Sequence, residues 1–193
     1  MEAFLVSTGV VALAEIGDKT QLLAFVLAAR FRRPWPIILG ILVATIANHA
    51  LAGAVGTLIV NAVSPLVLRW VLGLSFLAMA GWTLIPDKLD ADSVRAQWGS
   101  AGAFVSTLIA FFLAEMGDKT QIATVGLAAR YDAFFAVVAG TTLGMMIANV
   151  PAVIVGDRLA VRMPVRLVHG IAAAIFTLLG VLILLGVGAS LGF

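Results

Sequence analysis

The sequence predicts an all-α integral membrane protein: six transmembrane helices, arranged as two inverted three-helix repeats. Three observations carry this expectation. Of the 193 residues, 62% are hydrophobic and only 11% charged, with a mean hydropathy of +1.13; a soluble domain averages about 45–50% apolar and about 25% charged. The apolar residues fall into six stretches near the roughly 20 residues that a helix needs to cross a bilayer. Finally, the chain repeats itself at an offset of 100 residues.

Taken in order, the stretches are 4–29, 37–60, 66–85, 102–129, 134–155 and 165–185. The segments RFRRPWP (30–36), NAVSP (61–65), PDKLDADSVRAQWGS (86–100), RYD (130–132) and DRLAVRMP (157–164) separate them. Pro34, Pro36, Pro65, Pro86 and Pro164 stand at these boundaries, where a missing backbone donor costs least. Pro151 lies inside the fifth stretch and is expected to kink it. The first and fourth stretches are too long for one straight crossing, so tilt or a break is expected in each.

The repeat is clearest in AEIGDKTQLLAFVLAAR (14–30) and AEMGDKTQIATVGLAAR (114–130), identical at 11 of 17 positions. Gly40 pairs with Gly140, Gly56 with Gly156, and His49 faces Asn149. Three spans per unit is an odd number, so the second unit enters the membrane from the opposite side. The predicted organisation is a first repeat (1–85), a cytoplasmic connecting loop (86–100) and an inverted second repeat (101–193). Arg30, Arg32, Arg33, Lys88, Arg95, Arg158, Arg162 and Arg166 flank one side of the spans, against Arg69 and Arg130 on the other. That bias places the central loop in the cytoplasm and both termini outside.

Composition also excludes. A net charge of +2, scattered along the chain, does not make a nucleic-acid surface. With no cysteine there is neither a disulfide framework nor a thiolate site. The N-terminal stretch does not read as a signal peptide, since it opens with Glu2 and carries Glu15, Asp18 and Lys19 within its apolar run.

Those three charges need an explanation. An Asp or Lys at mid-membrane costs roughly 2.5–3.5 kcal/mol on insertion scales, so such groups face protein or water. On an unbroken helix Glu15, Asp18, Lys19 and Leu22 lie along one stripe, while Gly17 permits unwinding or close helix approach. Inverted symmetry brings the two stripes together, so that Glu15, Asp18, Glu115 and Asp118 converge as a hard-cation site. Thr20, Gln21, Thr120 and Gln121 offer further oxygens. Four carboxylates and two lysines sum to −2, the charge of one divalent cation or two protons. Cation and protons are therefore expected to compete, which couples their movements. Lys19 and Lys119 have two readings: restraint of the carboxylate charge when metal is absent, or intrahelical partners of Glu15 and Glu115.

Glu-Ile-Gly-Asp-Lys-Thr (15–20) and Glu-Met-Gly-Asp-Lys-Thr (115–120) resemble the paired signature of the transmembrane protein 165 family. The resemblance covers essentially the whole chain, and neither motif departs from the pattern. It implies a secondary transporter of Mn²⁺, with Ca²⁺ as the other candidate cargo, in exchange for protons. It also implies cation-binding roles for Glu15, Asp18, Glu115 and Asp118. No prosthetic group and no enzymatic activity are expected. The partners are the lipid bilayer, divalent cations and protons, with a homodimer left open and the bacterial inner membrane the expected location.

Other polar residues are weaker candidates. Asn48, His49 and Asn149 either line the path or glue helices by hydrogen bonds. His169 reads as interfacial or structural. Asp87, Asp90 and Asp92 do not form an EF-hand loop. Trp35, Trp70, Trp82 and Trp98 fall near span ends as interfacial anchors. Gly53, Gly56, Gly140 and Gly144 read as helix-packing positions, and Gly140-Thr-Thr-Leu-Gly144 as a weak dimerisation pattern. The rival functions are a passive divalent cation channel and an exporter of a small basic solute. An intramembrane aspartyl protease built on Asp18 and Asp118 is disfavoured, because each Asp has a Lys beside it and a Glu one turn away.

Overall fold

The computed structural model describes residues 1–85, 102–155 and 165–186. Among these there are eight helices and no strands: α1 (Glu2–Glu15), α2 (Lys19–Phe31), α3 (Pro34–Ala62), α4 (Pro65–Thr83), α5 (Ala103–Glu115), α6 (Lys119–Tyr131), α7 (Phe134–Val155) and α8 (Val165–Leu185). Pro34 and Pro65 open α3 and α4, and the Ser64 hydroxyl accepts from the Val67 N–H at 3.5 Å. α2 and α6 end alike: Arg32 and Asp132 turn left-handed, and their N–H groups bond the carbonyls of Ala28 and Ala128. α7 runs on through Pro151, so the expected kink does not end that helix. The connecting segment 86–100, with Asp87, Asp90, Asp92 and Trp98, lies outside the described residues.

Four stretches, Pro34–Ala62, Pro65–Thr83, Phe134–Val155 and Arg166–Leu185, are long and apolar enough to cross a membrane. The other two predicted spans are each interrupted. α1 gives way to α2 at Ile16–Asp18, and α5 to α6 at Met116–Asp118. At 1.5 Å per residue each piece is about 20 Å long, shorter than the roughly 30 Å hydrocarbon core. The cause is local: Gly17 and Gly117 adopt φ of +84° and +73°, a conformation that costs other L-residues roughly 1–2 kcal/mol.

Polarity is inverted relative to a soluble globule. Trp35, Leu58, Ile154 and Leu185 are exposed, while Glu15, Asp18, Glu115, Asp118 and Lys119 are buried. Outward apolar faces around a polar interior fit an integral membrane protein. Trp35, Trp70 and Trp82 are exposed near the ends of α3 and α4, as interfacial anchors should be.

α3 and α7 form the centre. α3 packs on α5, α6 and α7, while α7 also packs on α1 and α2. Small residues allow this closeness. A Cβ on Gly40 would lie 2.8 Å from the Thr107 Cβ, and one on Gly140 3.0 Å from the Ser7 Cβ. A Cβ on Gly144 would lie 2.7 Å from the Thr8 carbonyl oxygen and 2.9 Å from the Ala12 nitrogen. The Gly140/Gly144 face is therefore spent on α1 within the chain, which removes it as a dimerisation pattern. Gly144→Val should lower the melting temperature in detergent by several degrees, since overpacking against fixed backbone costs about 1–3 kcal/mol. Gly9→Ala, where a Cβ meets nothing within 4 Å, should leave it unchanged or higher.

Candidate functional site

The two interruptions build the site. Each places a Glu at the C-terminal end of one half-helix and an Asp at the N-cap of the next. Glu15 and Asp18 therefore belong to different helices, and the single stripe expected from an unbroken helix is replaced by a turn. Asp18 N–H bonds the Glu15 carbonyl at 3.0 Å, and Asp118 N–H the Glu115 carbonyl at 3.1 Å. A half-helix C-terminus carries partial negative charge and an N-terminus partial positive charge. Cations are favoured beside Glu15 and Glu115, and carboxylates at positions 18 and 118.

Gln21 and Gln121 hold the turns. Their side-chain oxygens accept the N–H groups of Gly17 and Gly117 at 2.9 and 2.7 Å. Their amide groups reach α7 and α3: Gln21 donates to the Ala148 carbonyl at 2.9 Å, and Gln121 to the Asn48 Oδ1 at 3.4 Å. Each of these oxygens thus accepts one backbone N–H, which fixes the turn and leaves a second lone pair on the oxygen. Thr120 donates to the Glu115 Oε2 at 2.9 Å and so orients that carboxylate. The Thr20 hydroxyl is buried without a hydrogen-bond partner among the described residues.

The halves interlock by charge. Lys119 Nζ lies 2.5 Å from Asp18 Oδ1, and Lys19 Nζ 2.9 Å from Asp118 Oδ1. Each lysine thus pairs with the aspartate of the other half, and the intrahelical Glu–Lys reading is not what the structure shows. The two pairs are unequal: Lys119 is fully buried, whereas the Lys19 side chain is 28% exposed.

Between these pairs the carboxylates gather. Glu15, Glu115 and Asp118, all buried, each offer an oxygen, and the three oxygens lie within 4.8 Å of one another. Ligand oxygens around one hard cation sit about 2.0–2.6 Å from it, so opposite ones are at most about 4–5 Å apart. The cluster has the dimensions of one ion. Neither oxygen of Glu15, nor Glu115 Oε1, has a hydrogen-bond partner among the described residues. A buried carboxylate without donors needs a cation or a proton. Asp18, the fourth predicted ligand, faces Lys119 and stands outside the cluster of three.

The secondary candidates are placed as follows. Asn48 donates to the Phe112 carbonyl on α5 at 3.0 Å, an interhelical bond. Asn149 donates to Met145 of its own helix at 3.1 Å. His49 is fully buried, and neither ring nitrogen has a hydrogen-bond partner among the described residues. His169 does more than its sequence suggests: its Nε2 lies 2.9 Å from the Ile16 carbonyl, inside the first turn. No motif pointed to it, since the segment around 169 does not resemble the segment around 69.

Residues 3–91 and 103–190, one segment in each half, match the family described as Divalent cation/proton antiporter GDT1. A Vibrio cholerae protein named "Putative manganese exporter" is 53% identical over 180 residues, covering 93% of this chain and 88% of that protein. A GDT1-like protein of Synechocystis is 29% identical over 198 residues, covering 94% of this chain and 96% of the relative. GDT1-like protein 3 of Oryza sativa subsp. indica is 30% identical over 201 residues, 91% of this chain and 71% of the relative. No solved structure matches. Two matched segments spanning nearly the whole sequence place this chain in the GDT1 family of divalent cation/proton antiporters.

Proposed function

We propose that the chain exports manganese in exchange for protons through the carboxylate cluster, with Ca²⁺ as the competing cargo. The observation that carries this is the approach of Glu15, Glu115 and Asp118, contributed by both halves, to within one ion's dimensions. Carboxylate oxygens suit Mn²⁺, Ca²⁺ and Mg²⁺, and the chain has no thiol to hold a softer metal. The name of the Vibrio cholerae relative favours manganese among these.

In this reading Glu15, Asp18, Glu115 and Asp118 bind the cation, directly or through its water. Lys19 and Lys119 restrain the aspartates when it leaves. Thr20, Gln21, Thr120, Gln121, Asn48, His49 and Asn149 shape the surrounding path. The broken stretches each count as one crossing, giving six spans in two inverted repeats, 1–85 and 101–193, joined by a cytoplasmic loop. Both termini lie outside a bacterial inner membrane.

The mechanism follows from charge. A carboxylate must be deprotonated to bind metal, so loading the ion releases protons and protonation expels it. Lowering the pH on one face therefore unloads metal there, and the returning site carries protons instead. In proteoliposomes, Mn²⁺ should accumulate against its own gradient, on the acidic side of an imposed pH difference, and the flux should saturate. Flux that never runs uphill and ignores the pH difference would indicate a passive channel. Competition by lysine or arginine instead of Ca²⁺ would indicate export of a basic solute.

A further inference from the structure

The sequence repeat is obeyed at the centre of the molecule and broken at its edge. At the offset of 100, α1 corresponds to α5, α2 to α6, α3 to α7 and α4 to α8. The packing of α1 on α7 mirrors that of α5 on α3. The paired helices α4 and α8 do not follow. α8 packs on α1, with no comparable packing of α4 on α5 among the described residues. α4 packs on α6, with no comparable packing of α8 on α2. α1 and α6 share one end of the molecule, where the Tyr131 hydroxyl donates to Glu2 at 3.3 Å. The α4/α8 pair therefore covers that end of the site and leaves the end formed by α2 and α5.

Individual residues show the same asymmetry. His169 on α8 bonds the Ile16 carbonyl, an end-of-helix acceptor with no intrahelical partner of its own. Its counterpart Arg69 lies beside Gly186, and the counterpart of Ile16, Met116, is 57% exposed. The Phe76 ring lies 3.0 Å from where a Cβ on Gly126 would stand. The counterpart of Gly126, Val26, is 42% exposed, while the counterpart of Phe76, Phe176, packs against Phe76 itself.

We propose that α4 and α8 move as a unit between two packings, with His169 as the latch of the one observed. In the exchanged packing Phe176 lies on Val26, and Arg69 reaches the Met116 carbonyl while His169 releases Ile16. This rests on the antiporter reading, because an exchanger must open one site to its two sides in turn. The turns that receive the pair in the two packings, around Ile16 and Met116, repeat nearly the same sequence, so a bound cation or protons can bias one packing against the other. His169 is a positioning residue: it touches the turn that carries Glu15, and none of the carboxylates.

The absence of cysteine allows a direct test. The pair Phe76→Cys/Gly126→Cys reports the observed packing, and Val26→Cys/Phe176→Cys the exchanged one. Each is reconstituted in proteoliposomes and treated with a short, reducible, thiol-specific bifunctional reagent. Both pairs should cross-link, either cross-link should stop Mn²⁺ flux, and reduction should restore it. His169→Ala should shift yield from the first pair to the second by about threefold or more, a population shift of the size one hydrogen bond gives. His169→Gln, which keeps an N–H donor, should return the wild-type ratio. The proposal is overturned if Val26→Cys/Phe176→Cys never cross-links, or if flux continues through either cross-linked form. If the folded, uncross-linked protein carries no flux, the antiporter reading fails, and the two yields still decide between one packing and two.

Discussion

Glu15→Gln and Glu115→Gln should each reduce Mn²⁺ transport by more than about 100-fold. Even an outer-shell partner of a metal ligand is worth about 10–100-fold, and these side chains are the ligands we propose. Gln keeps the volume and one oxygen but removes the charge, so a loss reports electrostatics instead of packing. The effects should be alike in the two variants, because both carboxylates reach one cluster from opposite halves. The double variant should be little worse than either single one, since a site already lost cannot be lost twice. Flux of purified, monodisperse protein in proteoliposomes is the measurement. Normal flux in either variant would remove that residue from the pathway.

The second large effect is an inequality. Lys119→Met should be far more damaging than Lys19→Met, although the two motifs read alike around both lysines. Lys119 is fully buried against Asp18, and Lys19 is partly exposed beside Asp118. Removing one partner of a buried pair strands the other charge, at about 3–5 kcal/mol; a partly solvated pair loses much less, because water screens the remaining charge. Lys119→Met should therefore lower thermal stability by several degrees and abolish transport. Asp18→Asn in the same chain should recover part of the lost stability, with a coupling on the order of 1–3 kcal/mol in a double-mutant cycle. Equal effects from the two lysine variants would show that the observed asymmetry has no energetic weight.

These two expectations mark what the sequence could and could not show. The duplicated motif pointed to Glu15, Asp18, Glu115 and Asp118, because charges so costly in lipid need a shared reason. The excess length of the first and fourth stretches leaves tilt or a break as the alternatives; the structure has the break, and Gly17 and Gly117 sit at it. Hydropathy cannot show which side of the turn each carboxylate falls on, since apolar residues flank the charged motif on both sides. A regular helix would set Glu15 and Asp18 on one stripe, whereas Glu15 ends α1 and Asp18 caps α2. Nor does spacing reveal a partner in space: Lys19 stands four residues from Glu15, yet pairs with Asp118. Nor does the motif reveal that the Gln21 oxygen holds the Gly17 N–H, since that bond exists only once the turn has formed. The role of His169 depends on how α8 packs against α1, and no periodicity within either helix encodes that contact.

The central claim is that acidic side chains from both halves make one cation site. Counting Mn²⁺ bound per chain in purified protein, by equilibrium dialysis with electron paramagnetic resonance of the free ion, tests it most directly. One ion per wild-type chain is expected, with none bound at the same concentration in Glu15→Gln or in Glu115→Gln. Two ions per chain, with one surviving in each variant, would mean that each half binds its own cation, and the shared site would be wrong.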